Sequence, residues 1–328
     1  MKTLTGRTVL AFALILAAVM PSFTAAEAAA DWTLPRTGWG APDLQGLWTN
    51  TTLTPFERPP ALGDKEFLTE EEVAEAEANR ADLINGAGAR PASKTEAGGN
   101  VGAYNLHWME LGTRIVGSRR TSLVIEPSTG RVPVRPEAEA KRKYDIAHIE
   151  DSWEHMSVWD RCITRGVPGG LMPAGYNNAH RILQTEDTVV IVSEMIHNVR
   201  IIPIDGRPHV DDSIRLWNGD SRGHWEGDTL VVETRNFGDK SWIATSGSQG
   251  RIKGIQQTSN ATVVERFTRV DEHTVDWRAT IEDPEIYTAP WTVNIPLYYD
   301  AGYEMYEYAC HEGNWAVRNT LSAGRAAD

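Results

Sequence analysis

Five ionisable side chains occupy alternate positions in the segment GDSRGHWEGDTLVV: Asp220, Arg222, His224, Glu226 and Asp228. An imidazole beside a carboxylate can take and return a proton near neutral pH, and a guanidinium can hold an anionic group or developing negative charge. Asp220, Arg222 and His224 are therefore candidate catalytic residues, with Trp225 a candidate contact for a bound ring. The competing reading of His224 and Trp225 is a turn held by hydrogen bonds to backbone, and Asp228 after Gly227 is ordinary turn chemistry. A second acid–base pair, His311 and Glu312, follows Cys310 directly; His311 is a candidate catalytic group and Glu312 a candidate substrate contact. Tyr176 and Asn177, in the Gly/Pro/Asn-rich loop MPAGYNN, and Tyr308 can offer hydrogen bonds to a ligand. Glu194, Arg200, Glu265 and Arg266 read more simply as ion pairs across a sheet.

The chain has nine histidines but no H-E-x-x-H, H-x-H or paired-cysteine spacing, so no local segment forms a zinc site. A metal site assembled from His197, His209, His224 and His311 stays open as a long-range alternative. Nucleophile-elbow, phosphate-loop and dinucleotide signatures are absent. Acid–base chemistry without a cofactor is the reading that remains.

The elements that must position these groups are mostly strands. Leu230, Val232 and Thr234 alternate with Val231, Glu233 and Arg235, and Val275, Trp277, Ala279 and Ile281 alternate with polar neighbours, which is the period of half-buried strands. A three-residue connection Glu226-Gly227-Asp228 is expected to join two antiparallel strands, the first ending at Trp225. Further hairpins are expected at Glu186-Asp187 and at Asp271-Glu272, and one over Thr121–Val134 around the turn Pro127–Gly130. Two helices are marked: one from a Thr69/Glu72 capping box to about Ile84, the other beginning at Pro136 and carrying His148 and His155. Gly46-x-Trp48 in PDLQGLW matches the way lipocalin-like barrels begin. The expected fold is mainly β, an antiparallel meander closing into a lipocalin-like barrel with a few peripheral helices. Residues 31–328 read as one such domain, with an N-terminal helical and loop arm over about 31–118. The Gly/Ala/Ser-rich stretch 85–100 is either a lid or a plain connection.

Lys2 and Arg7 precede the apolar run Val9–Met20, and A-x-A sites follow at Ala26 to Ala30, so residues 1–30 read as a cleaved signal peptide and the protein as periplasmic or secreted. The formal charge is -13, and removing the two cations and one anion of residues 1–30 takes it to -14. An acidic chain without basic clusters argues against nucleic acid as a partner, and no later segment is apolar enough for membrane insertion. Oligomeric state leaves no mark in the sequence. Twelve tryptophans exceed the needs of an ordinary core and suggest a pocket for a small aromatic molecule. Export to an oxidising compartment predicts a disulfide between Cys162 and Cys310, the two cysteines of the chain.

The segments PDLQGLW, RTSLVIEPSTGR, WDRCITRGVPG, EMIHNVRIIPIDGRPH, GDSRGHWEGDTLVV, VVERFTRVD, EDPEIYTAPWT and YACHEGN together resemble a family of secreted, mostly uncharacterised proteins of proteobacteria and acidobacteria. The combination is also similar to cofactor-independent lyases that trim side chains of lignin-derived biaryl compounds. That resemblance implies side-chain cleavage or decarboxylation of a small aromatic substrate, with Arg222, His224 and His311 as the residues carried over. The alternatives are a non-catalytic barrel that binds a hydrophobic ligand and a metal-dependent hydrolase or isomerase.

Overall fold

Val275, Trp277, Ala279 and Ile281 are all fully buried, while Arg278 and Glu282 beside them are exposed. Such alternation along successive strands builds the wall of this molecule. The computed structural model describes residues 32–86, 109–110 and 112–327. The chain divides into Met1–Thr33 and Leu34–Asp328, and every element named below belongs to the second unit. The expected signal segment, residues 87–100 of the expected lid, and His107 lie outside the described residues.

Ten strands form one antiparallel sheet: β1 (Gly46–Thr49), β2 (Val124–Glu126), β3 (Ala179–Gln184), β4 (Thr188–Ser193), β5 (Asn198–Pro203), β6 (Asp220–Glu226), β7 (Thr229–Arg235), β8 (Thr262–Asp271), β9 (Thr274–Glu282) and β10 (Trp291–Tyr299). Their order is β5-β4-β3-β1-β10-β9-β8-β7-β6, with β2 added to β10. Four consecutive antiparallel pairings carry β6 to β10, and β1 joins the two halves by pairing with both β10 and β3. β1 is therefore an interior strand. The first strand, expected at Gly46-x-Trp48 within the arm over about 31–118, is a central piece of the sheet, with Leu47 and Trp48 buried.

The sheet curls until its edges, β5 and β6, face each other. A Cβ at Gly223 would lie 2.8 Å from Ile204 Cγ2 and 3.1 Å from Ile202 Cγ2, so only glycine lets the edges come this close. Arg200 of β5 spans the seam in place of a backbone ladder. It donates to Ser221 Oγ at 3.0 Å and to Thr234 Oγ1 at 2.8 Å, and it pairs with Glu265. Trp277 Nε1 donates to the other oxygen of that carboxylate at 3.2 Å. The result is a nearly closed barrel whose last joint is made by side chains. Its interior is filled: Trp277, Trp291, Phe267, Phe237 and Ile295 belong to one continuous core. Most of the buried tryptophan is thus packing, not the lining of a ligand chamber.

Local signals came through with some changes. Helix α1 (Glu70–Gly86) begins with both capping-box bonds, Thr69 N–H to Glu72 Oε2 at 2.8 Å and Glu72 N–H to Thr69 Oγ1 at 3.2 Å. The β6–β7 loop is one residue shorter than expected: Glu226 pairs with Thr229, leaving Gly227 and Asp228 as a two-residue turn with Gly227 at φ 59°. The Pro127–Gly130 turn forms, with Gly130 N–H on Pro127 O at 2.9 Å, but no hairpin follows. β2 pairs instead with β10, a long strand already fixed by β9, and Pro133 has no N–H to offer a return ladder. The helix starting at Pro136, α2 (Pro136–Ala147), stops short of His155. His155 reaches back from a separate short turn to donate to Asp145 Oδ1, 3.0 Å away. The tail ends in α3 (Ala316–Ala327). Among the described residues no helix is long and apolar enough to cross a membrane.

Candidate functional site

The β6–β7 hairpin turns out to be a clamp. Asp220 pairs with Arg222 at 2.7 Å and meets His209 Nδ1 at 2.8 Å and the Val210 N–H at 3.1 Å. His209 Nε2 lies 3.1 Å from Glu233, and Arg222 Nε donates to Pro208 O at 2.9 Å. These bonds fasten the loop before β6 to the barrel and use up both Asp220 and Arg222. His224 points outward, its side chain 61% exposed, beside Glu226 at 3.2 Å, and Glu226 is held by Arg266 at 2.5 Å. Trp225 packs on the core and Asp228 pairs with Arg36 at 2.7 Å.

His311 does not join them. β5 and β6 lie side by side in the same direction, with Asn198 near Asn218 (3.4 Å) at one end and Ile204 near Gly223 at the other. His197, just before β5, meets Tyr308 O at 3.0 Å, which places the 308–312 segment at the Asn218 end. Six residues of strand separate that end from His224, roughly 20 Å at the usual rise. His311 and Glu312 are exposed there. The histidines 197, 209, 224 and 311 do not converge, and among the described residues no group of three His, Cys, Asp or Glu side chains is placed to hold a metal ion.

Tyr176, Asn177 and Tyr308 do come together, on the far side from the hairpin. Cys162 and Cys310 are bonded, with Cα atoms 5.6 Å apart, and this bond ties the tail to the wall. The Tyr176 and Tyr308 rings lie 6.4 Å apart, and Trp159 meets the edge of Tyr176 at 6.3 Å. Cys162, Asn177, Ile196 and His197 all have positive φ, between 41° and 62°. Each such residue costs on the order of 1–3 kcal/mol, and strain of this kind gathers where a site must be held in one geometry. Because the bridge closes a 148-residue span, opening it is expected to lower stability by about 2–4 kcal/mol. Thermal unfolding of a Cys162→Ser/Cys310→Ser double variant checks this; an unchanged Tm would show that the tail is held without the bond.

Next to this tail is a cleft of about 260 Å³. Leu47, Ile84 and Met109 give it apolar walls, and Arg80, Glu110 and Tyr303 give it polar groups. The hydroxyl of Tyr303 meets both oxygens of Glu194, at 2.9 and 2.8 Å, and Glu110 approaches the same hydroxyl. Glu194 is buried and also accepts the Tyr306 N–H at 3.2 Å and the Asn177 side chain. Burial raises its carboxyl above the usual carboxylate range, against the hydrogen bonds that stabilise its charge. Tyr303 is pushed far up, first by burial and then by the Glu194 carboxylate, which keeps the phenol protonated at neutral pH. Glu110 is aimed by Asn178, whose backbone N–H donates to it at 3.0 Å. The three form a proton-sharing group, acid–phenol–acid, with Glu110 and Tyr303 open to the cleft.

On the other face of β3 lies a buried polar cluster around Arg165 and His180. Ala179 lines the cleft, and His180, the next residue, faces inward. Asn50 Nδ2 donates to His180 Nε2 at 3.1 Å, so the ring proton sits on Nδ1 and goes to Ser193 Oγ at 3.0 Å. Burial, with Arg165 close by, drives the His180 pKa down to about 3. Burial also lowers Arg165 to about 10, opposed by the phenols of Tyr176 and Tyr308.

Comparison with protein-family models, with curated proteins and with solved structures finds no match. Glu110, Arg165, His180 and Tyr303 belong to no local motif, and the partners they meet come from other segments of the chain. Glu194 was expected in an ion pair, and it bonds a phenol 109 residues away instead. Arg200 with Glu265 and Arg266 with Glu226 are the ion pairs that do form.

Proposed function

We propose that this protein is an exported, cofactor-independent lyase that cleaves or decarboxylates the side chain of a small aromatic compound at the Glu110–Tyr303–Glu194 cleft. The observation that carries this reading is the Tyr303 hydroxyl held between two carboxylates beside an open, largely apolar cleft. In a side-chain cleavage, Glu110 takes the proton of a substrate hydroxyl as that oxygen becomes a carbonyl. The adjacent carbon–carbon bond breaks, and its electron pair stays on the departing aromatic fragment. Tyr303 delivers a proton to that carbon and recovers the one that Glu110 took up, while the Glu194 carboxylate holds the hydroxyl in place. The step is redox-neutral and needs no added oxidant. The substrate class is taken from the resemblance of the sequence motifs to lyases of lignin-derived biaryls, and the disulfide fits an oxidising, periplasmic or secreted location.

The test is product analysis by mass spectrometry with purified protein and a panel of lignin-derived biaryl and phenylpropanoid compounds. Tyr303→Phe keeps the ring and removes the proton, and is expected to lower kcat by about a hundredfold or more. His224→Ala, at the clamp end, is expected to turn over like wild type. Equal turnover by wild type and Tyr303→Phe would end this assignment, as would the absence of any product across the panel.

A further inference from the structure

Arg165 is 6% exposed and makes one described side-chain hydrogen bond, Nε to Thr245 Oγ1 at 3.2 Å. No carboxylate pairs with it among the described residues, whereas Arg200, similarly buried, has Glu265. A buried guanidinium without a counter-charge is costly, several kcal/mol in general terms, so its retention in the core calls for an anion from elsewhere. Its two terminal nitrogens bond no described residue, yet they are not among the fully enclosed polar atoms that lack a partner. They keep a path to open space. Nε is committed to Thr245, which leaves those two nitrogens as a planar fork, the geometry that grips both oxygens of a carboxylate.

The surroundings narrow the ligand further. Tyr176 and Tyr308 lie close enough for their phenols to act on the Arg165 charge, and Trp159 extends the row of rings. His180 is neutral and spends both ring nitrogens on Asn50 and Ser193, so it adds no second cation that would favour a more highly charged anion. One monovalent fork flanked by aromatic rings suits a monoanion attached to a flat apolar body. We infer that Arg165, Tyr176 and Tyr308 form a binding site for a small aromatic carboxylate, set on the opposite face of β3 from the proton-transfer cleft. The site holds the carboxylate on the guanidinium and the ring among the tyrosines.

Benzoate is the probe. Titrated into the full chain and followed by calorimetry and NMR, it is expected to bind saturably and to show NOEs from its ring protons to the rings of Tyr176 and Tyr308. Acetate, which lacks the ring, and inorganic phosphate, which lacks it and carries more charge, are expected to bind about tenfold more weakly or worse. Arg165→Lys keeps the charge and loses the fork, and should weaken benzoate about ten- to hundredfold. Tyr303→Phe should bind benzoate as wild type does, so failure of the lyase reading leaves this result standing. The inference is overturned if benzoate does not saturate, if phosphate matches it, or if Arg165→Lys binds it unchanged. Should Arg165→Lys not fold, the NOEs in wild type decide: contacts to both tyrosines support the site and their absence removes it.

Discussion

Acidifying the protein from pH 6.5 to about pH 4 is expected to remove roughly 3 kcal/mol of stability through His180 alone. His180 is depressed to about 3 in the folded state from an ordinary value of 6.5. Between those values the unfolded chain binds a proton at this position and the folded chain does not. Stability from this group is therefore fully present above pH 6.5 and is lost as pH falls toward 3, at about 1.4 kcal/mol per pH unit. The cause is geometric. Nε2 already accepts from Asn50, so a second ring proton would face an N–H donor, in a buried position and beside the Arg165 charge. Urea unfolding at several pH values measures the slope, and His180→Gln, which cannot be protonated, should flatten it. A wild-type slope equal to that of the variant would mean that His180 takes a proton while the barrel stays folded.

Glu194 works in the opposite sense, which makes the two separable. Its folded-state value is raised, so its contribution is complete below the ordinary carboxylate range and is lost as pH rises through the folded value. The acid limb of the stability profile should thus carry the His180 contribution, and a decline above the carboxylate range should come from Glu194 together with Asp283, which burial also raises.

What could be read from the sequence and what could not divides by the range of the interactions. The strand alternation in 274–282, the capping box at Thr69 and the β6–β7 turn are set by neighbours within four residues, and the fold follows them closely. The Cys162–Cys310 bond spans 148 residues but was still foreseeable, because two cysteines allow one pairing. The site is different. Its parts come from Glu110, Asn177, Glu194 and Tyr303, and their meeting depends on β1 entering between β10 and β3 and on the tail folding back across the barrel end. Charge density was a poor guide for the same reason. The hairpin's ions are dense because each satisfies another locally, whereas Arg165 has no ion pair among the described residues.

Removing the carboxylate at the seam, by Glu265→Ala, is expected to cost about 3–5 kcal/mol. Glu265 is 0% exposed and pairs with Arg200, 10% exposed, and it also takes the indole N–H of Trp277. The substitution strands a cation and a donor in the core and leaves a cavity as well. Arg200 would be drawn toward water, taking with it the bonds to Ser221 and Thr234 that join β5 to β6. Since no backbone ladder crosses that seam, the loss should be local in character: amide exchange in β5 and β6 should quicken more than in β8 to β10. The double variant Arg200→Met/Glu265→Leu removes both charges together and fills the space, so it should recover much of the stability while the seam still exchanges faster than in wild type. Single and double variants equally unstable would argue that volume at this position matters more than charge. Glu265→Ala within about 1 kcal/mol of wild type would show that the barrel is closed by apolar contact at Gly223 and not by the ion pair.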